Sequence, residues 1–545
     1  MTVLREKIRR GVPAGLVSLF VIVTCAITAR DFGLTTDEDI YIESASRIEN
    51  WFGDFADVGF LENMTSEQRL KSGWYFARPE SKNLPLVSLL SVAGYALVGQ
   101  FDDPLVAYRW GNILLFGLTC GVIFHWVREK YSTAAASVAL FALLGNPRLY
   151  VNANLLSIDP LIGCFWVLAS YALSRSRDNW GWSIWFAILA GVGMTSRPTF
   201  WFAFPAWLVW GMMYRPRELW RAGVCVVIVT PLVALLFLPM WWTNPVGGVL
   251  DYLEMMQAGN AGWQTGAYYW GEIYQLNGVG AIPWYGVLVL AAITTPVWIL
   301  CLGLCGVWNW LGHRRRDEVV ALWVFSGVIL PVVIMLPMTP AHDGVRLFRP
   351  AFFFIALWAA AGFESLRKRF WQPTETAQGK FSRGECVVVG LVCGLCLWPH
   401  YRMHPHSLSY YNFIVGGFSG ATARREMSET LPDRERPRFE ISYWYDLLND
   451  DALSSLQEYL PKGAKIWFFP EYGGAKRLQS WGRIRGDIEI VEKPSAADFF
   501  VLYGRMSRLL DPKVAPLGKM FLQGKPVWEY RVQDVRAIGL YRRNR

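Results

Sequence analysis

Charge is scarce in this chain: 18% of its 545 residues are Asp, Glu, Lys or Arg, where a soluble domain carries about 25%. That shortage argues against an ordinary water-soluble fold over most of the length. No disulfide framework is visible either. All nine cysteines, Cys25, Cys120, Cys164, Cys225, Cys301, Cys305, Cys386, Cys393 and Cys396, fall in or beside apolar runs and read as small hydrophobes. The C-x-x-C of Cys393 and Cys396 lies in VVVGLVCGLCLW, without strand, charge or a second ligand pair, so helix packing accounts for it better than redox or zinc chemistry. A P-loop, a G-x-G-x-x-G opening a helix and an H-E-x-x-H are missing, which disfavours nucleotide-driven transport and a zinc site. Repeats of fixed period are missing as well, so neither a solenoid nor a repeat-built transporter gains support.

What the chain has in abundance is hydrophobic residues, 53%, of which many are aromatic, 15% of the total, with a mean hydropathy of +0.23. Nearly uncharged runs recur at 12–29, 105–126, 133–146, 159–175, 181–195, 199–214, 222–242, 284–306, 318–338, 348–365 and 384–400. They predict an all-α polytopic membrane protein with about eleven transmembrane helices. The first run follows REKIRR and lacks a small-residue cleavage site, so it reads as a retained helix and not a signal peptide. Placing the N-terminus in the cytoplasm puts VREKYS, SRSRDN, YRPRELWRAG, LGHRRRDE and ESLRKRF inside, as the positive-inside rule requires. The net charge of +9 is then a topology signal, not one for nucleic acid.

A further apolar stretch, 84–99, would break this parity and is expected to lie in-plane or re-entrant. The segment from about 31 to 83 becomes a large first outer loop. After about Pro432 the apolar runs stop, and AKIWFF, DIEIV and DFFVLYG alternate with polar turns. This predicts two parts: a membrane domain over 1–432 and a small soluble extracytoplasmic α/β module over 433–545.

Chemistry is expected on the outer segments. DFGLTTDEDIYIESA follows the first span and places Asp31, Asp37, Glu38, Asp39 and Glu43 at the membrane surface, where a partly desolvated carboxylate suits a general base; the plain alternative is a solvated acidic loop. Asp159, ahead of Pro160 in NLLSIDPLIG, has helix capping as its plain explanation. Lys82, Arg109, Arg197, Arg346 and Arg349 gather cations at the same edge, an inventory suited to a lipid phosphate. Arg109 lies inside an apolar span, where an arginine costs roughly 2.5–3.5 kcal/mol unless it snorkels or finds a partner. His404 and His406 could approach a metal, but no third ligand is placed by spacing.

Together these segments resemble the glycosyltransferase C (GT-C) superfamily, specifically the bacterial relatives of protein O-mannosyltransferases and of the lipid A aminoarabinose transferase. The resemblance is carried by TTDEDIYIES, KNLPL, SIDP, AIPWYG with ITTP, HDGVRLF, and HPHSLSYYNFIVGGFSGA followed by FEISYWYDLLND. It implies a GT-C fold and an inverting enzyme that moves a monosaccharide from a polyprenyl-phosphate carrier to a protein, lipid or glycan acceptor on the outer, periplasmic face of the inner membrane. By matching positions it implies catalytic roles for Asp37, Glu38 and Asp159. Lys82, Arg109, Arg346, His342 and Arg349 become the phosphate-binding candidates. No metal cofactor is expected, since a single phosphate can be neutralised by side chains. The competing reading is a membrane carrier or lipid-linked sugar flippase, with Arg109 and Asp159 lining a path.

Overall fold

The computed structural model describes residues 2–74, 84–177, 179–258, 266–275, 281–313, 316–336, 339, 343–371, 383–426, 435–470 and 472–543. Each expected span contains a helix: Thr2–Thr28, Pro104–Lys130, Thr133–Leu144, Ile158–Arg175, Trp180–Met194, Ala203–Tyr214, Leu219–Phe237, Gly286–Thr294 with Val297–Gly312, Glu318–Ile334, Pro350–Trp371 and Arg383–Met403. Their starts follow from local chemistry. Asp103, Ser132, Asn146, Ser157, Asn179 and Asp317 each accept a backbone N–H from the first turn that follows, and Pro104 and Pro147 occupy first positions where no N–H is needed.

Among the described residues, four helices are long and apolar enough to cross a membrane alone. They are Gly11–Asp31, Pro104–Lys130, Leu219–Phe237 and Cys386–Met403; the bent pair Thr133–Leu144 and Pro147–Asn154, 72° apart, adds a fifth crossing if counted as one span. Leu219–Phe237, at 19 residues, reaches about 28 Å, close to the roughly 30 Å hydrocarbon thickness. Leu16, Leu19, Val227, Leu232, Leu236, Leu304, Trp308, Val387 and Leu391 are exposed on the outside of the bundle, a surface suited to lipid and not to water. The chain is a multi-pass membrane protein.

The predicted span 284–306 is interrupted. Pro296 separates Gly286–Thr294 from Val297–Gly312, because proline offers no N–H to continue the ladder. The carbonyls freed there are not left bare: Asn412 donates its side-chain amide to Ala292 O at 2.6 Å and Thr295 O at 2.8 Å, and its backbone N–H to Ile293 O at 2.8 Å. The ITTP and SYYN motifs are thus one joint. The 84–99 stretch forms Leu86–Val98, a 13-residue helix about 20 Å long, which lies against Pro104–Lys130. A Cβ at Gly111 would sit 2.0 Å from Leu90 O, so glycine there permits the close approach.

Ion pairs gather at two polar ends of the bundle. One end gathers the C-terminus of Thr2–Thr28 with the N-termini of Pro104–Lys130, Ile158–Arg175 and Pro350–Trp371. At the other, Lys130 pairs with Asp317, Arg175 with Glu129, and Arg215 with Glu318 at 2.7 Å. The tail forms a five-stranded sheet ordered Glu489–Ile490, Lys465–Phe469, Phe499–Tyr503, Val535–Arg542, Trp528–Val532. Its first three strands are parallel, and Val535–Arg542 runs antiparallel to both neighbours. The sheet does not stand apart: its buried residues join those of the helices in one continuous core through Phe32, Leu34, Tyr445, Tyr472 and Tyr503.

Candidate functional site

The first polar end is organised by arginine–carboxylate contacts. Asp37, in the first turn of the Thr36–Gly53 helix, accepts from Arg346 Nη2 at 2.5 Å. Asp159, in the first turn of Ile158–Arg175 behind the Ser157 cap, meets three cations: Arg197 Nη1 at 3.0 Å, Arg349 Nη1 at 2.9 Å and Arg346 Nε at 3.2 Å. Arg346 also faces Asp343 at 3.4 Å, and Asp343 is held on its other oxygen by Arg505 Nη2 at 2.6 Å. Arg349 donates to Asn152 as well. Four arginines therefore interlock with three aspartates, and Arg148 lies alongside in an aromatic clamp, 4.7 Å from the Tyr411 ring and 5.4 Å from Tyr443.

Burial sorts the carboxylates. The Asp37 side chain is 25% exposed, against 1% for Asp159, 7% for Asp343 and 0% for Glu38. Among the described residues the hydrogen bond to the Asp37 carboxylate falls on Oδ2, from Arg346, and none falls on Oδ1. Among the described residues, Arg148 Nη2, Arg349 Nε, Arg505 Nε and the Tyr41 hydroxyl are buried around the cluster without a hydrogen-bond partner. Burial works against the Arg346 charge, but Asp37 and Asp159 outweigh it and hold that guanidinium well above its ordinary value.

Glu38 and Arg109 sit elsewhere, with each other. Arg109 donates Nε and Nη2 to Glu38 at 2.7 and 2.8 Å, and its remaining N–H groups to Ala29 O, Phe32 O and Gly33 O. Glu38 also accepts from Leu156 N at 2.8 Å and from Thr35 N at 2.9 Å, completing a capping box. Both side chains are 0% exposed. All five N–H donors of Arg109 are occupied, so this pair ties the segment after the first helix to the bundle and leaves no donor for a phosphate. Asp39 is clamped from the tail by Arg477 at 2.5 Å. Lys82 and His342 lie outside the described residues.

The histidines do not converge. His404 Nε2 is 2.8 Å from Asp31, while His406 Nε2 is 2.9 Å from the Tyr530 hydroxyl and is pushed by burial down to about 4. Among the described residues no group of three His, Cys, Asp or Glu side chains is placed to hold a metal ion. Of the aromatic trio Tyr443, Trp444 and Tyr445, two serve the cluster. Tyr443 covers Arg148, and Trp444 lies 4.7 Å from the Arg346 guanidinium and 5.7 Å from that of Arg349. Tyr445 packs, stacked between Tyr472 at 4.3 Å and Tyr503 at 4.4 Å.

This cluster straddles SIDP, TTDEDIYIES and HDGVRLF, and the first of these lies in a stretch that is similar to a known family. Residues 82–242 match the model of the dolichyl-phosphate-mannose-protein mannosyltransferases. The match contains KNLPL and SIDP, so the resemblance to that family of GT-C proteins holds in the segment that carries Asp159, Arg148 and Arg197. A search of curated proteins finds no match. Among solved structures, ArnT from Cupriavidus metallidurans in the apo state is similar at 14% identity and a TM-score of 0.48, covering 97% of this chain and 98% of that one. The same protein bound to undecaprenyl phosphate gives 13% and 0.49, covering 96% and 97%. The Archaeoglobus fulgidus oligosaccharyltransferase in the apo form gives 11% and 0.46, covering 92% and 72%.

Sequence reasoning missed Arg505 and Asp343, which belong to the cluster only because the tail folds back. Arg505 follows a strand in YGRMS and carries no motif that marks it. Arg148, in GNPRLY, is a further miss, and Arg197 reads in sequence only as one of several cations, with nothing in its spacing to show that it meets Asp159.

Proposed function

We propose that the protein is an inverting glycosyltransferase that moves a monosaccharide from a polyprenyl-phosphate carrier to an acceptor on the outer face of the membrane. One observation carries the reading: among the described residues Asp37 is the most exposed carboxylate of the arginine-rich cluster, held by one oxygen at the polar end of a lipid-facing bundle. The name of the family matched by residues 82–242 supports a dolichyl-phosphate type of donor. The basic loops at the opposite end, including Arg175 and Arg215, support an outer location for the site.

In this mechanism the acceptor nucleophile gives its proton to Asp37 Oδ1 and attacks the anomeric carbon. The bond from that carbon to the phosphate oxygen breaks, and its electron pair stays on the departing polyprenyl phosphate. A single displacement of this kind inverts the anomeric centre. The phosphate gains negative charge as it leaves, so cations fixed in advance stabilise the transition state more than the bound donor. Arg346 and Arg349 are those cations. Asp159, fully occupied by arginines, orients them. Glu38 and Arg109 hold the loop that presents Asp37.

The test is release of radiolabelled sugar from a panel of polyprenyl-phosphate monosaccharides by purified wild-type protein and by Asp37→Asn. Loss of turnover by about 100-fold to 10,000-fold is expected for a positioned base, with folding preserved. Wild-type turnover in the variant would remove Asp37 from that role. Absence of donor turnover in the wild type, together with movement of intact lipid-linked sugar across vesicles, would favour the carrier.

A further inference from the structure

We propose that the tail module is a working part of this site, with Trp444 and Arg505 as positioning residues for the Arg346 guanidinium; the inference rests on the glycosyl-transfer reading above. Three carboxylates surround Arg346: Asp37 at 2.5 Å, Asp159 at 3.2 Å and Asp343 at 3.4 Å. Left to itself, one guanidinium facing three anions would have no charge to spare for a fourth. Asp159 is matched separately by Arg349 and Arg197, and Asp343 by Arg505 at 2.6 Å. The tail arginine thus frees Arg346 to serve Asp37 and an incoming phosphate. Trp444 covers the guanidinium at 4.7 Å, which favours the cation while offering no competing anion.

The backbone at both contacts is strained. Trp444 and Tyr445 have φ of 47° and 66°, and Asp343 has φ of 52° ahead of Gly344 at 65°. Non-glycine residues are disfavoured in this region and persist where the surroundings over-determine them. The surroundings here do so. Tyr445 is stacked between Tyr472 and Tyr503, and Thr36 N–H, one residue before Asp37, donates to Trp444 O at 3.1 Å. The two strained turns also press together: a Cβ at position 344 would lie 2.8 Å from the Tyr443 hydroxyl. One turn comes from the membrane part and the other from the segment leading into the sheet, and they meet at Arg346.

The experiment uses the full chain and the donor panel, comparing wild type with Trp444→Leu, Trp444→Phe, Arg505→Gln and Arg505→Lys, with thermal transitions recorded for each. Lys476→Ala, on the exposed side of the tail, serves as control. Misplacement of a catalytic group by about 1 Å costs on the order of 100-fold. The Leu and Gln variants should therefore lose about 10- to 100-fold in kcat with donor KM changed less than threefold. Phe and Lys, which keep a ring or a charge, should recover part of the loss. If the Leu or Gln variant fails to fold, the kcat of the Phe and Lys variants decides. Wild-type kcat in all folded variants overturns the positioning role while leaving the enzyme reading intact. Failure of the wild type to turn over any donor overturns the underlying reading, and this inference with it.

Discussion

Glu38 and Asp37 are neighbours in sequence with opposite surroundings, and a paired substitution separates their roles. Glu38 accepts four hydrogen bonds, from Arg109 Nε and Nη2, Leu156 N and Thr35 N, at 2.7–2.9 Å, with no exposed surface. In Glu38→Gln, whichever way the amide turns, its NH2 faces two of these donors, and Arg109 keeps a buried charge without its partner. Breaking a buried ion pair costs about 3–5 kcal/mol. Over an unfolding entropy of about 2.1 cal/mol/K per residue, that lowers the Tm of a chain this long by about 3–4 °C. Asp37→Asn loses one contact at a partly exposed group and should leave Tm nearly unchanged. The assay is a thermal transition in detergent for both variants, paired with donor turnover measured well below either transition. Glu38→Gln should be less stable yet turn over donor within about tenfold of wild type, and Asp37→Asn should show the reverse. A Glu38→Gln protein of wild-type Tm that has lost turnover as deeply as Asp37→Asn would refute the structural role given to Glu38.

Three further outcomes are expected. Burial pushes Asp446 from 3.8 up to about 7, against the opposing hydrogen bonds of Tyr503 and Ser442. The folded chain then binds this proton more tightly than the unfolded one, so the stability it adds is full below about pH 4, falls as pH rises and is gone above about 7; Asp446→Asn should raise Tm at pH 8, and by less at pH 5, where only part of the loss has accrued. Gly111→Ala should destabilise the protein by about 1–3 kcal/mol, read as a lower thermal transition, because its Cβ would meet Leu90 O at 2.0 Å. Donor turnover should persist in excess chelator; loss that is restored by a divalent ion would assign a metal to the reaction.

Much of this protein was written in one dimension. Apolar runs depend on local composition, so the helices could be read directly, as could the strands of the tail from AKIWFF and DFFVLYG. Asp37, Asp159, Arg346 and Arg349 were also legible, since charge at the edge of an apolar run is costly enough to demand a reason. What stayed hidden was pairing. Nothing in TTDEDIYIES separates Asp37 from Glu38, because one helical turn aims one side chain at Arg346 and the next at Arg109, 71 residues further on. Arg505 and Trp444 read as tail residues, and only the return of the sheet onto the bundle brings them to Arg346. Composition and periodicity determined where the chain enters lipid, because burial of apolar surface is nearly independent of partner. Tertiary structure decided which charge meets which, because an ion pair depends on distances of a few ångströms between segments hundreds of residues apart.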